Sequence, residues 1–154
     1  MRIAVDSDDA GIELKRMVVE YLRESGVTVE DLDLLASRKV DYPDIGYNLA
    51  RLVARKEYDR GVLICGTGLG MCMIANKVEG VYAGVCHDVY SAERLRKSND
   101  AQVITMGARV VGPEVAKAVL AAWLKSEFEA GRSLPKVQRM RELEAIERKR
   151  AENS

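Results

Sequence analysis

The chain of 154 residues is 47% hydrophobic and 31% charged, a globular composition with enough apolar mass to bury a core as one domain spanning 1–154. Lysine plus arginine and aspartate plus glutamate number 24 each, and no basic stripe is interleaved with aromatics, so nucleic acid is not an expected partner. No apolar run approaches the roughly 18 residues of a membrane span, and Met1-Arg-Ile-Ala-Val5 reads as a strand and not a leader peptide, so neither membrane insertion nor export is expected.

Short apolar strands alternate with helical patterns along the chain. The first strand runs from about Arg2 to Val5. A helix from about Gly11 to Ser25 places Ile12, Leu14, Met17, Val18 and Leu22 on one buried stripe, with Gly26 closing it. Thr28 to Leu32 is the second strand. Residues 34–43 read as a polar loop ending in Asp41-Tyr-Pro43, and Pro43 suits the first turn of the next helix, to about Arg55. Gly61 to Cys65 is the third strand, followed by a helix from near Gly68 to at most Glu79. Val81 to Cys86 is the fourth strand, Tyr90 to Lys97 a helix, and Val103 to Met106 the fifth strand. Gly112 and Pro113 open the helix that carries Trp123. A charged C-terminal helix occupies about residues 134–152, either solvated or clasping a partner.

This alternation predicts a three-layer α/β/α fold around a five-stranded parallel sheet. Such sheets bind ligands at the carboxyl ends of their strands, near a topological switch. The chemically interesting residues fall there. Asp6, Ser7, Asp8 and Asp9 follow the first strand, Cys65 to Gly70 the third, Cys86, His87 and Asp88 the fourth, and Gly107 to Arg109 the fifth.

Gly66-Thr-Gly-Leu-Gly70 is the most informative segment. Its third glycine comes one residue too early for a dinucleotide fingerprint, and no Gly-Lys-Ser/Thr follows as a P-loop needs. Glycines here allow positive φ and close backbone approach, so the loop reads as an anion or oxyanion cradle in preference to a plain tight turn. Cys65, at a strand end beside that loop, is either an inert buried thiol or a functional one, and the adjoining helix start favours its thiolate. Cys72 and Cys86 read as core residues. Three cysteines with no disulfide framework and no zinc spacing suggest a reducing cytoplasm.

Asp6, Asp8 and Asp9 lack a second acidic cluster or a histidine pair to complete a metal site, so no metal or other cofactor is expected. One of them is expected to cap a helix, and Asp8 is the preferred hydroxyl-binding carboxylate. His87, the only histidine, is either structural or part of the site. Arg109, Arg132 and Lys136 are surface charges or phosphate ligands; the last two are four residues apart, so one helical face could present both.

The order of these motifs resembles the type B ribose-5-phosphate isomerases and the galactose-6-phosphate isomerase subunits. It rests on Ser7-Asp8 with Gly11, Asp41-Tyr-Pro43, Cys65-Gly-Thr-Gly-Leu-Gly70, Ala75-Asn-Lys77, Tyr90-Ser-Ala92, Asn99-Asp100, Gly107-Ala-Arg-Val-Val-Gly112 and Gly131-Arg132, across residues 1 to about 145. The resemblance implies a Rossmann-like sheet that binds no dinucleotide, and a metal-independent aldose–ketose isomerase acting on a sugar phosphate, in a homodimer or tetramer with sites shared between subunits. By position it makes Cys65 the base moving a proton between C1 and C2. Thr67 and the amides of Gly66, Gly68, Leu69 and Gly70 match the enediolate cradle, and Asp8 and Tyr42 match hydroxyl ligands. It assigns Asn99 and Arg109 to the partner subunit, and Arg132 to the phosphate, with Lys136 where a further arginine is usual.

Three departures stand out. Asp9 replaces a phosphate-contacting histidine, Ser98 replaces the histidine credited with ring opening, and Lys136 lacks the guanidinium fork. Serine has no group titrating near neutrality, whereas a four-carbon sugar 4-phosphate cannot close a furanose through its blocked terminal oxygen. A short or acyclic sugar phosphate is therefore the preferred substrate. The alternatives are a ribose-5-phosphate isomerase in which His87 replaces the lost histidines, and a catalytically silent phosphosugar-binding subunit.

Overall fold

The computed structural model describes residues 1–154 as a parallel sheet between two helical layers. Its strands are β1 (Arg2–Ser7), β2 (Thr28–Asp31), β3 (Arg60–Cys65), β4 (Ala83–Val85) and β5 (Val103–Gly107). Their order is β2-β1-β3-β5-β4, every pairing parallel. The helices are α1 (Ile12–Glu24), α2 (Leu34–Ser37), α3 (Tyr42–Ala54), α4 (Leu69–Ala75), α5 (Val89–Lys97), α6 (Pro113–Leu124) and α7 (Ala130–Glu152).

The period of two along β3 splits the core. Val62 and Ile64 face one layer with α1, α5 and α6, while Leu63 and Cys65 face the other with α3 and α4. Both sets are fully or almost fully buried, as expected for a sheet covered on two sides. Cys65 thus emerges on the α3/α4 side, at the last paired position of β3.

Several boundaries differ from the sequence expectation. β1 extends to Ser7, so Asp6 and Ser7 lie in the strand and are buried. Residues 34–43 are not wholly loop: α2 forms because Asp6, from β1, accepts the Leu34 N–H at 3.2 Å. That is a tertiary cap that local sequence does not reveal. β4 is only three residues long and half-buried, as befits an edge strand. On α1, Ile12 and Met17 are half-exposed, and Val19 and Lys15 are buried instead. Gly26 does close α1, with φ +84°. α7 begins earlier than expected because two helical pieces meet at Gly131, whose φ of 28° and ψ of −125° put a kink before Arg132.

Candidate active site

Four strand ends converge. The Asp8 N–H donates to Ile64 O at 3.2 Å, holding the end of β1 beside Cys65. From the other side, the turn after β5 takes both carbonyls around the thiol: Ala108 N–H donates to Cys65 O at 2.8 Å and Arg109 N–H to Gly66 O at 3.0 Å.

The glycine loop then folds back over the sulfur. Gly68 has φ +79°, and a Cβ there would stand 2.9 Å from the Met106 carbonyl carbon, so no side chain fits. Its N–H donates to Cys65 Sγ at 3.1 Å. Its carbonyl accepts the Thr105 hydroxyl at 2.8 Å. The exposed Thr67 hydroxyl accepts the Leu69 N–H at 3.2 Å. The next two amides of α4, those of Gly70 and Met71, have no carbonyl one turn earlier in the helix to bond, whereas Cys72 N–H donates to Gly68 O at 3.1 Å. Cys65 itself is only 5% exposed.

Side chains close around this loop. The Tyr42 ring lies on Gly70, where a Cβ would stand 2.5 Å from Tyr42 Cζ. The Arg109 guanidinium covers Gly66, with Nη1 2.9 Å from the position of an added Cβ. Arg109 forms no ion pair. The resemblance assigned it to the partner's site; here it sits on its own chain's loop, because the β5 turn that carries it is pinned to Gly66.

Asp8 Oδ1 is buried and reached by no protein donor. Burial raises its carboxyl above the ordinary carboxylate value and Asp9 raises it further, while the neighbouring Gly11 and Ala10 N–H groups and, least of the three, Arg109 pull the other way. Asp9 is exposed, and its Oδ1 accepts the Ala10 N–H at 3.1 Å. Asp8 occupies the cap position of the 3-10 turn Asp9–Gly11 but makes no side-chain cap bond. The expected capping falls to Asp6, at α2. The supporting partner missed in the sequence is Lys15, 4% exposed, whose Nζ meets Asp31 at 2.9 Å, Asp33 at 3.4 Å and Asp6 at 3.7 Å. Its position on the stripe with Val18 and Leu22 was the available signal.

His87 is half-buried, and its Nε2 accepts the Gly107 N–H at 2.8 Å. Cys86 is buried, which pushes its thiol up to about 12, with Asp88 and Cys72 adding to the effect. Cys72 is only half-buried, its sulfur 3.5 Å from Ala83 O.

The remaining predicted residues are not joined to this cluster. Ser98 ends α5, its N–H on Arg94 O at 2.8 Å, and Asn99 beside it is exposed. Arg132 and Lys136 are exposed on α7 and form no ion pair or side-chain hydrogen bond. α7 is held to its own chain by buried Val137, by Arg141 on Asp100 at 3.0 Å and by Arg148 on Glu79 at 2.7 Å. Beside the glycine loop lies a shallow hollow of about 180 Å³, lined by Tyr42, Pro43, Gly70, Met73, Ile74 and Lys77. Leu69 and Met73, at its edge, are 56% and 68% exposed.

A protein-family model described as ribose/galactose isomerase matches residues 3–140. A relative from Pectobacterium atrosepticum, named D-erythrulose-4-phosphate isomerase, is 50% identical over 142 residues, 91% of this chain and 93% of its own. One from Listeria innocua, named ribose-5-P isomerase B, is 47% identical over 144 residues, 94% of this chain and 97% of its own. The solved structure of ribose-5-phosphate isomerase B from Clostridium thermocellum superposes with a TM-score of 0.89 at 42% identity, over 95% of this chain and 99% of that one.

Proposed function

The chain belongs to the ribose/galactose isomerase family, and from that premise we propose that it interconverts a short-chain aldose phosphate and its ketose phosphate, with Cys65 as the base. The enzyme is a sugar-phosphate isomerase, as its relatives are named. Cys65 thiolate takes the proton from the carbon beside the substrate carbonyl. The C–H bond breaks, an S–H bond forms, and the electron pair moves onto the carbonyl oxygen as an enediolate. Return of the proton to the neighbouring carbon, with a proton shift between the two oxygens, gives the isomer. One base serves both directions.

The observation that carries this reading is the Gly68 N–H aimed at Cys65 Sγ at 3.1 Å, from a position where no Cβ fits. The amides from Gly70 and the Thr67 hydroxyl stabilise the enediolate oxygens. Asp8 Oδ1, buried with no protein donor, accepts a sugar hydroxyl, and the Tyr42 phenol binds another.

The substrate phosphate falls to Arg132 and Lys136 of a second subunit in a homodimer, with Asn99 also supplied across the interface. Three observations support that arrangement: both cations are unpaired, no bond ties them to their own chain's loop, and exposed Leu69, Met73 and Tyr42 surround the loop with apolar surface.

A short substrate is supported by the 50% identical relative's name, by Ser98 at the ring-opening position, and by the engagement of His87 Nε2 with Gly107. Ribose 5-phosphate is the second reading, favoured by the name of the Listeria innocua relative. The intact Cys65, Thr67 and loop glycines argue against a silent subunit. The test is solvent deuterium incorporation at C2 of four-, five- and six-carbon sugar phosphates by the purified chain. Exchange with a four-carbon phosphate, abolished in Cys65→Ala, is expected. No exchange with any of them would overturn the reading.

A further inference from the structure

We propose that His87 is a positioning residue, holding the turn after β5 through its hydrogen bond from Gly107 and thereby fixing the backbone around Cys65. This rests on the reading of Cys65 as the base.

β4 pairs with β5 only as far as Val85 opposite Thr105, and the last backbone bond is Cys86 N–H to Thr105 O at 3.0 Å. β5 runs two residues further, to Gly107, where it pairs with Cys65 of β3. On its outer side Gly107 therefore has no strand carbonyl to receive its N–H, although the residue is buried. A buried donor without an acceptor is costly. His87 supplies the missing acceptor as a ring nitrogen at 2.8 Å, standing in for a rung that β4 is too short to provide. An imidazole that accepts at Nε2 carries its ring proton on Nδ1.

What Gly107 holds explains why this matters. Its Cα faces the glycine loop so closely that a Cβ would stand 2.7 Å from the Thr67 carbonyl carbon. Gly107 O accepts the N–H groups of Val110 and Val111, each at 3.0 Å, which closes the turn. That turn delivers the Ala108 and Arg109 N–H groups to the carbonyls of Cys65 and Gly66. It also sets Arg109 over the loop. One imidazole thus terminates a chain of contacts running from Gly107 to the two peptides that follow Cys65. The same commitment withdraws Nε2 from proton transfer with substrate.

The test compares His87→Leu, which keeps bulk without an acceptor, with His87→Gln, whose carboxamide oxygen reaches a similar point. His87→Leu is expected to lower kcat by about tenfold to a hundredfold, the scale of a small misplacement of reacting groups, with KM little changed. His87→Gln should restore most of it. In parallel, the iodoacetamide alkylation rate of Cys65, followed by mass of its peptide, should shift in His87→Leu and return in His87→Gln. This readout needs no substrate, so it stands even if Cys65→Ala retains turnover and the base assignment fails. If His87→Leu does not fold, ¹⁵N NMR of the wild-type chain decides, since its one histidine assigns itself: Nδ1 protonated and Nε2 an acceptor are expected. Wild-type kcat and alkylation in His87→Leu would overturn the proposal. So would a His87→Gln chain as impaired as His87→Leu, which marks a proton-transferring ring, or a protonated Nε2.

Discussion

Around Cys65 the backbone is pinned from three sides, by Gly68 on the sulfur, by the β5 turn on two carbonyls and by β1 through Asp8. Along α7, Arg132 and Lys136 stand in solvent with no partner at all. The first region is made by strand ends whose positions the sheet dictates. The second is carried by a helix that touches its own chain through Val137 and a few surface ion pairs. The contrast separates two tasks. Proton transfer needs groups held rigidly to a fraction of an ångström, and one chain supplies them. Holding the substrate phosphate is the task proposed for these two cations, presented by a second chain.

The largest effect tests the rigid half. Cys65→Ala should lower kcat by about a hundredfold to ten-thousandfold, the range for losing a general base, while circular dichroism and melting temperature stay near wild type. Turnover at the wild-type rate in a folded variant would remove the cysteine from the mechanism.

A slightly smaller effect concerns what supports the end of β1. Lys15→Met leaves Asp6 buried without its ammonium and should destabilise the fold by about 3 kcal/mol, the scale for breaking a buried pair. Burial already raises the Asp6 carboxyl, with hydrogen bonds from Ser7 and Leu34 and the charge of Lys15 opposing it. An acid whose folded value is raised loses stability as pH climbs through the carboxylate range. The destabilisation by Lys15→Met should therefore shrink as pH falls below that range, as read by urea melts. A loss independent of pH would show that Lys15 acts by packing alone.

The exposed half is tested next. Arg132→Ala should cost about 1.5–3 kcal/mol in kcat/KM, the worth of a charge-assisted hydrogen bond, chiefly through KM. Mixing Arg132→Ala with Cys65→Ala chains should restore part of the activity if the site is shared. No recovery after demonstrated subunit exchange would return Arg132 to its own chain's surface.

The smallest effect lies away from both halves. Asp88 caps α5, accepting the Ser91 N–H and hydroxyl at 2.7 Å each, and these bonds lower its carboxyl below the ordinary value. A depressed acid contributes stability above its unfolded value and loses it as pH falls through the folded one. Asp88→Ala should lower the melting temperature slightly at neutral pH and not at strongly acid pH, with isomerase activity unchanged.

These cases mark what the sequence could and could not convey. The strand feeding Cys65, the glycine loop and the helices around them were legible because apolar periodicity and glycine placement are local signals. The position of β5 between β3 and β4 was not, since pairing across distant segments leaves no local trace. α2 was read as loop because its cap, Asp6, comes from 28 residues away. Arg109 was given to a partner subunit by resemblance, and only the β5 turn puts it on its own Gly66. His87 remained ambiguous between structure and site until the shortness of β4 exposed the Gly107 N–H that it accepts.

The most direct test of the central claim is the ratio of kcat/KM for a four-carbon ketose 4-phosphate to that for ribose 5-phosphate, measured on one preparation of the wild-type chain. With Cys65 intact and Ser98 unable to open a ring, a ratio above one is expected. A ratio below one would contradict the short-substrate assignment.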